Sequence, residues 1–420
     1  MSFGARHWIP AFAGMTNQPS DRTRVATALT ALAVTLAIQI YTSLAASATA
    51  VLAPELARDL GLSSRFVGLF VGIVYAASAV ASLLSGAFIV RHGSIRTSQV
   101  CVLLCAAGVA SMPLVAAFPA SVLGLLALAP ALIGAGYGPI TPASSHLLAR
   151  TAPPARRALT FSIKQTGVPA GVALAGAVLP VIALAVGWRV AFIAIAALGV
   201  GIAALAQLSR ATLDDERAPT RPIARAQFFA PIRRVLATPV LAELAWIAFA
   251  YAATQVCLTS FLVVYLTDAL GFSLVSAGLA LTAANAGGIV GRIAWGAIAD
   301  RLIAPRMLLA IIGLLAATGA FATATFDAAW PLSALLVVCA VFGGTAIGWN
   351  GVQLAELARH APAGEAGTIT GAAGFIGFAG VVVGPPTFAL LAAATGSYRV
   401  GFVAIGIGSA ACALRLLVRR

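Results

Sequence analysis

The chain has 420 residues, 61% of them hydrophobic and 9% charged, with a formal net charge of +14 and a mean hydropathy of +1.00. A soluble domain carries about a quarter charged residues, so a soluble globular enzyme, a disordered chain and a disulfide scaffold are excluded. What remains is an all-α integral membrane protein, and at about 20 apolar residues per crossing the length holds about twelve helices with their connections.

Residues 1–24 carry Arg6, Arg22 and Arg24 and no apolar core of signal-peptide length, so they read as an N-terminal tail, not a cleavable leader; Met15 is an alternative start. Apolar runs follow at 25–52, 66–90, 97–117, 121–147, 159–185 and 190–208. A polar stretch, 209–239, then holds three acids, six Arg and four Pro, and reads as a solvated linker with amphipathic pieces at the membrane surface. Six more runs lie near 240–266, 274–299, 307–325, 331–354, 368–394 and 400–418. They are continuous, not alternating, which excludes a β-barrel. Arg91, Arg96, Arg150, Arg156, Arg157, Arg301, Arg306 and Arg359 fall in connections on one side, against Arg58, Arg65, Arg189 and Arg399 on the other. Arg and Lys collect on the cytoplasmic face, so the first side, with both termini and the linker, is expected to be cytoplasmic. The basic residues are scattered between apolar runs, which is not a nucleic-acid footprint. Cys101, Cys105, Cys257, Cys339 and Cys412 all lie inside apolar runs without metal-ligand spacing, and no metal or cofactor is expected.

The two sets of six runs are related by a gapless shift of 210. Leu60–Ser63 aligns with Leu270–Ser273, Gly86–Ala87 with Gly296–Ala297, Arg91 with Arg301, and the segment around Arg189 with that around Arg399. The expected architecture is therefore two pseudo-symmetric six-helix bundles, 25–208 and 240–420, joined by 209–239.

The motif Gly296-Ala-Ile-Ala-Asp300-Arg301, in the connection between the eighth and ninth runs, resembles a signature of the major facilitator superfamily of secondary transporters. A weaker copy, Gly86-Ala-Phe-Ile-Val90-Arg91, follows the second run with Val90 in place of the acid. The resemblance covers residues 25–418. It implies a bacterial inner-membrane location, a monomer that suffices for function, and a latch in which Gly296, Asp300 and Arg301, with Gly86 and Arg91, hold the cytoplasmic side closed. Glycine there permits close helix approach, and the acid pairs with an Arg or a helix N-terminus. Val90 puts the first-half latch in doubt. Pro130 stands where many members carry an Arg, and Gly167-Val-Pro169-Ala-Gly171 only loosely resembles the Gly-Pro motif of antiporters.

Ionisable residues deep in a membrane are costly and mark function by default. Lys164, the single lysine, lies seven residues beyond Arg157, about 10 Å into the fifth run, and Arg292 lies eight residues before Asp300, about 12 Å into the eighth. Arg292 shares its face with Gly288, Gly296 and Asn285, and Lys164 with Thr160, Gly167 and Gly171, so both faces leave room. No Asp or Glu reaches mid-membrane to pair with either cation; Glu243 and Glu356 sit near helix ends. Two buried cations without a carboxylate call for an anion from outside. Arg292 and Lys164 are thus the leading substrate-binding residues. The Arg292–Gly296–Asp300 spacing also resembles family members that carry carboxylates. Gln39, Tyr75, Ser78 and Ser82, Tyr137 and Thr141, Tyr251, Gln255 and Thr259, and Trp349, Asn350 and Gln353 could complete a cavity; each alone also suits a helix–helix hydrogen bond. His146 and His360 read as interfacial.

The expected function is a secondary transporter moving a small anionic, carboxylate-like solute by alternating access, with membrane lipid as its surroundings and coupling to protons or a counter-anion both open. The alternative is efflux of apolar or cationic compounds, which would rest on Glu243. A non-transporting sensor would need an output segment beyond the short linker, and no nucleophile–base set or phosphate loop suggests an enzyme.

Overall fold

The computed structural model describes residues 21–52, 55–56, 59, 65–117, 122–215, 217–218 and 226–418; the N-terminal tail with Met15 lies outside them. The described residues form α-helix without a strand, as apolar segments in lipid must, because the bilayer core offers no partner for an open backbone. In chain order the α-helices are α1 Asp21–Val51, α2 Arg65–His92, α3 Ser94–Ala117, α4 Val122–Tyr137, α5 Ile140–Thr151, α6 Arg157–Gln165, α7 Gly167–Val186 and α8 Trp188–Leu213. They continue as α9 Ala226–Ala237, α10 Pro239–Val264, α11 Leu274–Arg301, α12 Pro305–Ala324, α13 Leu332–Ala346, α14 Asn350–His360, α15 Ala366–Thr395 and α16 Tyr398–Val418. Among the described residues ten segments are long and apolar enough to cross a membrane. Leu184, Leu208 and Val290 are 78%, 82% and 67% exposed, which on a chain this apolar is a lipid-facing surface.

Three apolar runs that read as single helices are broken. α4 passes to α5 at Gly138–Pro139, α6 to α7 at Thr166, and α13 to α14 at Ile347–Trp349. Proline explains the first two. Pro142 and Pro169 have no N–H to give the carbonyls of Gly138 and Gln165, four residues earlier. At the third, α13 ends on a Gly-rich stretch, Gly343-Gly344-Thr-Ala-Ile-Gly348. These breaks lie inside the molecule, where side chains can satisfy the freed groups.

The packing repeats along the chain. α1 lies on α7, α2 on α4 and α3 on α8; 210 residues on, α10 lies on α15, α11 on α13 and α12 on α16. At Gly291 a β-carbon would run into the backbone of Gly344, so α11 and α13 meet at glycine-to-glycine distance. A second set of contacts joins the early helices to the late ones: α2 and α5 to α15, and α6 to α11 and α14.

The described residues of the polar stretch, 209–215, 217–218 and 226–239, include helical pieces. α8 continues to Leu213, and α9 packs against α2, α10 and α15 with Val235 fully buried. The Asp214 carboxylate accepts from the Ile95 N–H at 2.8 Å and the Arg96 N–H at 2.9 Å, capping α3. Arg150 holds Asp215 at 2.5 Å.

Candidate functional site

Arg292 is 1% exposed on α11, and its guanidinium bridges two of the helix breaks. Nε donates to the Ile347 carbonyl at 3.1 Å, at the end of α13. One terminal nitrogen donates to the Gln165 carbonyl at the end of α6. This is the carbonyl that Pro169 deprives of its helical donor, so the two sequence features form one local device. Both acceptors are C-terminal carbonyls, the negative ends of short helices. A hydrogen bond to a charged group contributes about 1.5–3 kcal/mol. Two of them offset the roughly 2.5–3.5 kcal/mol that insertion scales assign to an arginine at mid-membrane.

Lys164 is equally buried, in the last turn of α6. Its ammonium donates to Gln39 Oε1 at 2.6 Å, Gln165 Oε1 at 3.0 Å and Thr141 Oγ1 at 3.5 Å. Gln39 in turn donates to Ser43 Oγ at 3.2 Å. Three neutral oxygens saturate the three donors of the ammonium but leave its charge in place. Among the described residues no carboxylate comes within ion-pair distance of Lys164 or Arg292.

Beside them lies a cavity of about 170 Å³. Arg292, Tyr75, Ser82, Tyr137, Thr141 and Gln255 are in its wall, with Trp349, Asn350 and Gln353 from the α13–α14 junction. The structure thus brings Arg292, Tyr75 and Gln255 together. Lys164 and Gln39 stand behind the wall and reach it through Gln165 and Thr141. Asn285 is outside it and donates to its own helix, at Leu281, at 2.9 Å. The stripe on α10 divides: Gln255 faces the cavity, Tyr251 donates to the Leu309 carbonyl at 2.9 Å, and Thr259 bonds its own helix. Ser78 bonds the Val74 and Gly134 carbonyls.

A second cavity, of about 360 Å³, opens toward the end of the molecule opposite the Arg-rich connections, lined by Ser43, Ser47 and Val71 among others. Tyr75 and Tyr137 line both cavities. Phe378 of α15 meets their rings at 6.2 and 6.3 Å, so three aromatic side chains divide the inner space from the outer. Gln165, Phe378 and Thr370 are wall residues that sequence reasoning passed over. The available signal for Gln165 was Pro169 four residues on; none existed for Phe378, one phenylalanine among 20.

At the Arg-rich end the early and late helices are in contact. The Asp300 carboxylate accepts from the Ala158 N–H at 2.9 Å and the Leu159 N–H at 2.8 Å, capping α6 from α11. A β-carbon on Gly296 would lie 2.5 Å from Ser162 Oγ, and one on Gly86 would lie 2.6 Å from Thr368 Oγ1. Ser82 donates to the Gly371 carbonyl at 3.2 Å. Arg301 is exposed and Arg91 half-buried. Val90 leaves the α15 N-terminus without the counterpart of Asp300. There Glu365, just before α15, pairs instead with Arg234 of α9. Glu243 is buried and paired with Arg306 at 2.9 Å, away from the cavity wall. Glu356 is paired with Arg359 at 2.6 Å, and His360 accompanies it at 3.6 Å.

Residues 35–385 match the sequence model of the Major Facilitator Superfamily. A hexuronate transporter of Bacillus subtilis (strain 168) is 28% identical over 153 residues, which is 36% of this chain and 35% of that relative. Among solved structures, the fucose:proton symporter of E. coli superposes with a TM-score of 0.74 at 14% identity, covering 94% of this chain and 99% of that one. A proton:xylose symporter gives 0.73 at 14% identity over 94% and 96%. An outward-facing bacterial homologue of the iron transporter ferroportin gives 0.70 at 16% identity over 93% and 100%.

Proposed function

The chain belongs to the Major Facilitator Superfamily, a multi-pass membrane protein that moves a small solute by alternating access, and from that premise we propose that its solute is a small organic anion whose carboxylate is held by Arg292. The observation that carries this reading is the pair of buried cations, Arg292 and Lys164, bonded only to neutral oxygens. A carboxylate entering the cavity meets a guanidinium that presents a planar donor fork and no competing acid. The name of the Bacillus subtilis relative, a hexuronate transporter, supports an acidic substrate.

In this reading twelve crossings form two six-helix halves, 25–208 and 240–420, joined by 209–239 with α9. The repeated pairings of the fold support that division. The Arg-rich end and both termini are cytoplasmic, in a bacterial inner membrane, and the capped contacts at that end make this the outward-facing arrangement. Gly86, Gly296 and Asp300, with Arg91 and Arg301 flanking, form the cytoplasmic gate. Lys164, Gln39 and Gln165 orient the α6–α7 break that Arg292 grips. Lys164, whose ammonium reaches the wall through Gln165 and Thr141, is the candidate carrier of proton coupling; anion exchange is the competing mode. Glu243 is held by Arg306, which leaves cation efflux without its acid.

The test is uptake and counterflow of labelled carboxylates into proteoliposomes. Arg292→Gln keeps hydrogen-bonding capacity but removes the charge. It is expected to lower uptake of every accepted anion by roughly 10- to 100-fold, the value of a charge-assisted bond. Unchanged uptake in Arg292→Gln would remove Arg292 from the site.

A further inference from the structure

α9 touches both sets of helices at the Arg-rich end. It packs against α2 of the early set and against α10 and α15 of the late set. Among its described residues Pro231 and Val235, one turn apart, are buried. Arg234, between them, pairs with Glu365 just before α15. α9 thus lies against both sides of the α2–α15 seam, where Gly86 meets Thr368 and where Val90 provides no counterpart of Asp300. α2 and α15 can part only if α9 releases one of them.

The opposite face of α9 is open. Phe229 is 71% exposed and Leu236 47%, and Arg233 is exposed beside them. At 3.6 residues per turn these three side chains fall within about 60° of one another, facing away from Pro231 and Val235. Arg233 has no carboxylate within ion-pair distance among the described residues. Only Thr238 separates α9 from the segment 239–269, which is long and apolar enough to cross a membrane. That single residue pins the last turn of α9 at the bilayer surface. There, two large apolar side chains beside an unpaired cation fit a lipid: the apolar groups enter the headgroup boundary and the guanidinium meets a phosphate. A zwitterionic headgroup brings its own cation to compete, so an anionic one is the better partner.

We propose that α9 is a strap whose outer face docks on anionic lipid headgroups, so that an anionic bilayer surface holds the α2–α15 seam closed. The strap takes the place of the acid missing at position 90. The proposal rests on the reading of the Arg-rich end as the gate and adds a lipid control to it. When the seam opens, α9 leaves α2 or α15, and with it the orientation in which its outer face meets the bilayer. Lipid therefore binds the closed arrangement better and shifts the equilibrium toward it by that difference. One arginine near an anionic surface contributes about fivefold.

The experiment places the full chain carrying Thr368→Cys in nanodiscs, which leave both faces open to reagent. The lipid is phosphatidylcholine alone or an equal mixture of phosphatidylcholine and phosphatidylglycerol. The rate of maleimide labelling reads opening of the seam, against the chain without the added cysteine. The mixed lipid is expected to slow labelling roughly threefold to tenfold. Arg233→Gln combined with Phe229→Ser is expected to abolish that dependence, while labelling in phosphatidylcholine stays within about twofold. Val235→Ser loosens the inner face and is expected to speed labelling at least about threefold in both lipids. If Val235→Ser fails to fold, Val235→Ala carries that arm. Equal labelling in the two lipids, or a lipid effect that survives the double variant, would overturn lipid docking by this face. Two chains per disc, reduced to one by Phe229→Ser, would make the face a contact between copies and overturn it as well. Unchanged labelling in Val235→Ser or Val235→Ala would overturn the strap. Asp300→Ala separates the strap from the gate. Faster labelling there, without a response to lipid, keeps the gate and removes the lipid-held strap; no response to Asp300→Ala, to the Val235 variants or to lipid removes the gate reading itself.

Discussion

Pro169 and Arg292 lie 123 positions apart, yet they act on one carbonyl. Proline removes the donor that would have closed the helix over Gln165, and arginine supplies another from α11. Replacing Pro169 with Ala returns an N–H to that carbonyl and draws it back toward the helix axis. Arg292 then loses part of its cross-helix orientation. Anion affinity in Pro169→Ala is expected to fall roughly threefold to tenfold, about the share of one charged hydrogen bond, with the helix break repaired. Titration and a thermal-unfolding curve on the same sample check both parts; unchanged affinity would mean that the break does not position Arg292. Both cations were legible in the sequence, because a charge inside an apolar run stands out. Their partners were not. Gln39 is 125 residues from Lys164, and nothing local distinguishes it from the chain's other buried amides.

Among elements, the proposed gate is unequal. α6 is capped by Asp300 across the seam, while α15 faces Val90 and is approached by α9 through Arg234 and Glu365. The Arg234–Glu365 pair is half-exposed, and such pairs contribute about 0–1 kcal/mol. Capping by Asp300 is worth more, about 0.5–2 kcal/mol for a lost cap. Asp300→Ala should therefore shift the closed Arg-rich end toward opening by a factor of roughly 2 to 30. Labelling of a cysteine introduced at Thr368 by a membrane-impermeant maleimide reads the shift, against a background of native cysteines that are mostly buried. An unchanged labelling rate would remove Asp300 from the gate. The run of apolar helices and their order could be read from hydropathy, and helix pairs 210 residues apart pack alike, although no pairing could be named from the shift itself. Two of the breaks were signalled only by Pro142 and Pro169, which the continuous apolar runs concealed. α9 was legible only as an amphipathic piece of the linker; that Val235 is buried against neighbouring helices was not.

For the whole molecule, the proposed gate has the seam between α6 and α11 open and close in turn. Glycine at 296 lets the two helices touch when closed, and a side chain there meets Ser162 and Leu159. In Gly296→Val the closed seam clashes, whereas the open one does not. The variant is expected to be trapped open at the Arg-rich end, with net uptake reduced at least tenfold while solute binding is kept, because a trapped state still exposes the site. Normal uptake by Gly296→Val would show that this contact does not gate the cycle.

Composition, hydropathy and the 210-residue repeat determined that this is an all-α membrane protein of the transporter type, since every membrane helix must declare itself locally through a long apolar run. Arg292 and Lys164 were visible for the same reason, since a charge against an apolar background is a local signal, and Asp300 stood out through the motif it shares with Gly296 and Arg301. The tertiary structure decided what those charges touch. Two carbonyls freed by helix breaks receive Arg292, two glutamines and a threonine receive Lys164, and two backbone N–H groups meet Asp300. It also decided that Asn285 turns back to its own helix while Gln255 faces the cavity. The physical reason is that a helix fixes its own hydrogen bonds within four residues, whereas a side chain finds its partner on whichever helix the packing sets opposite.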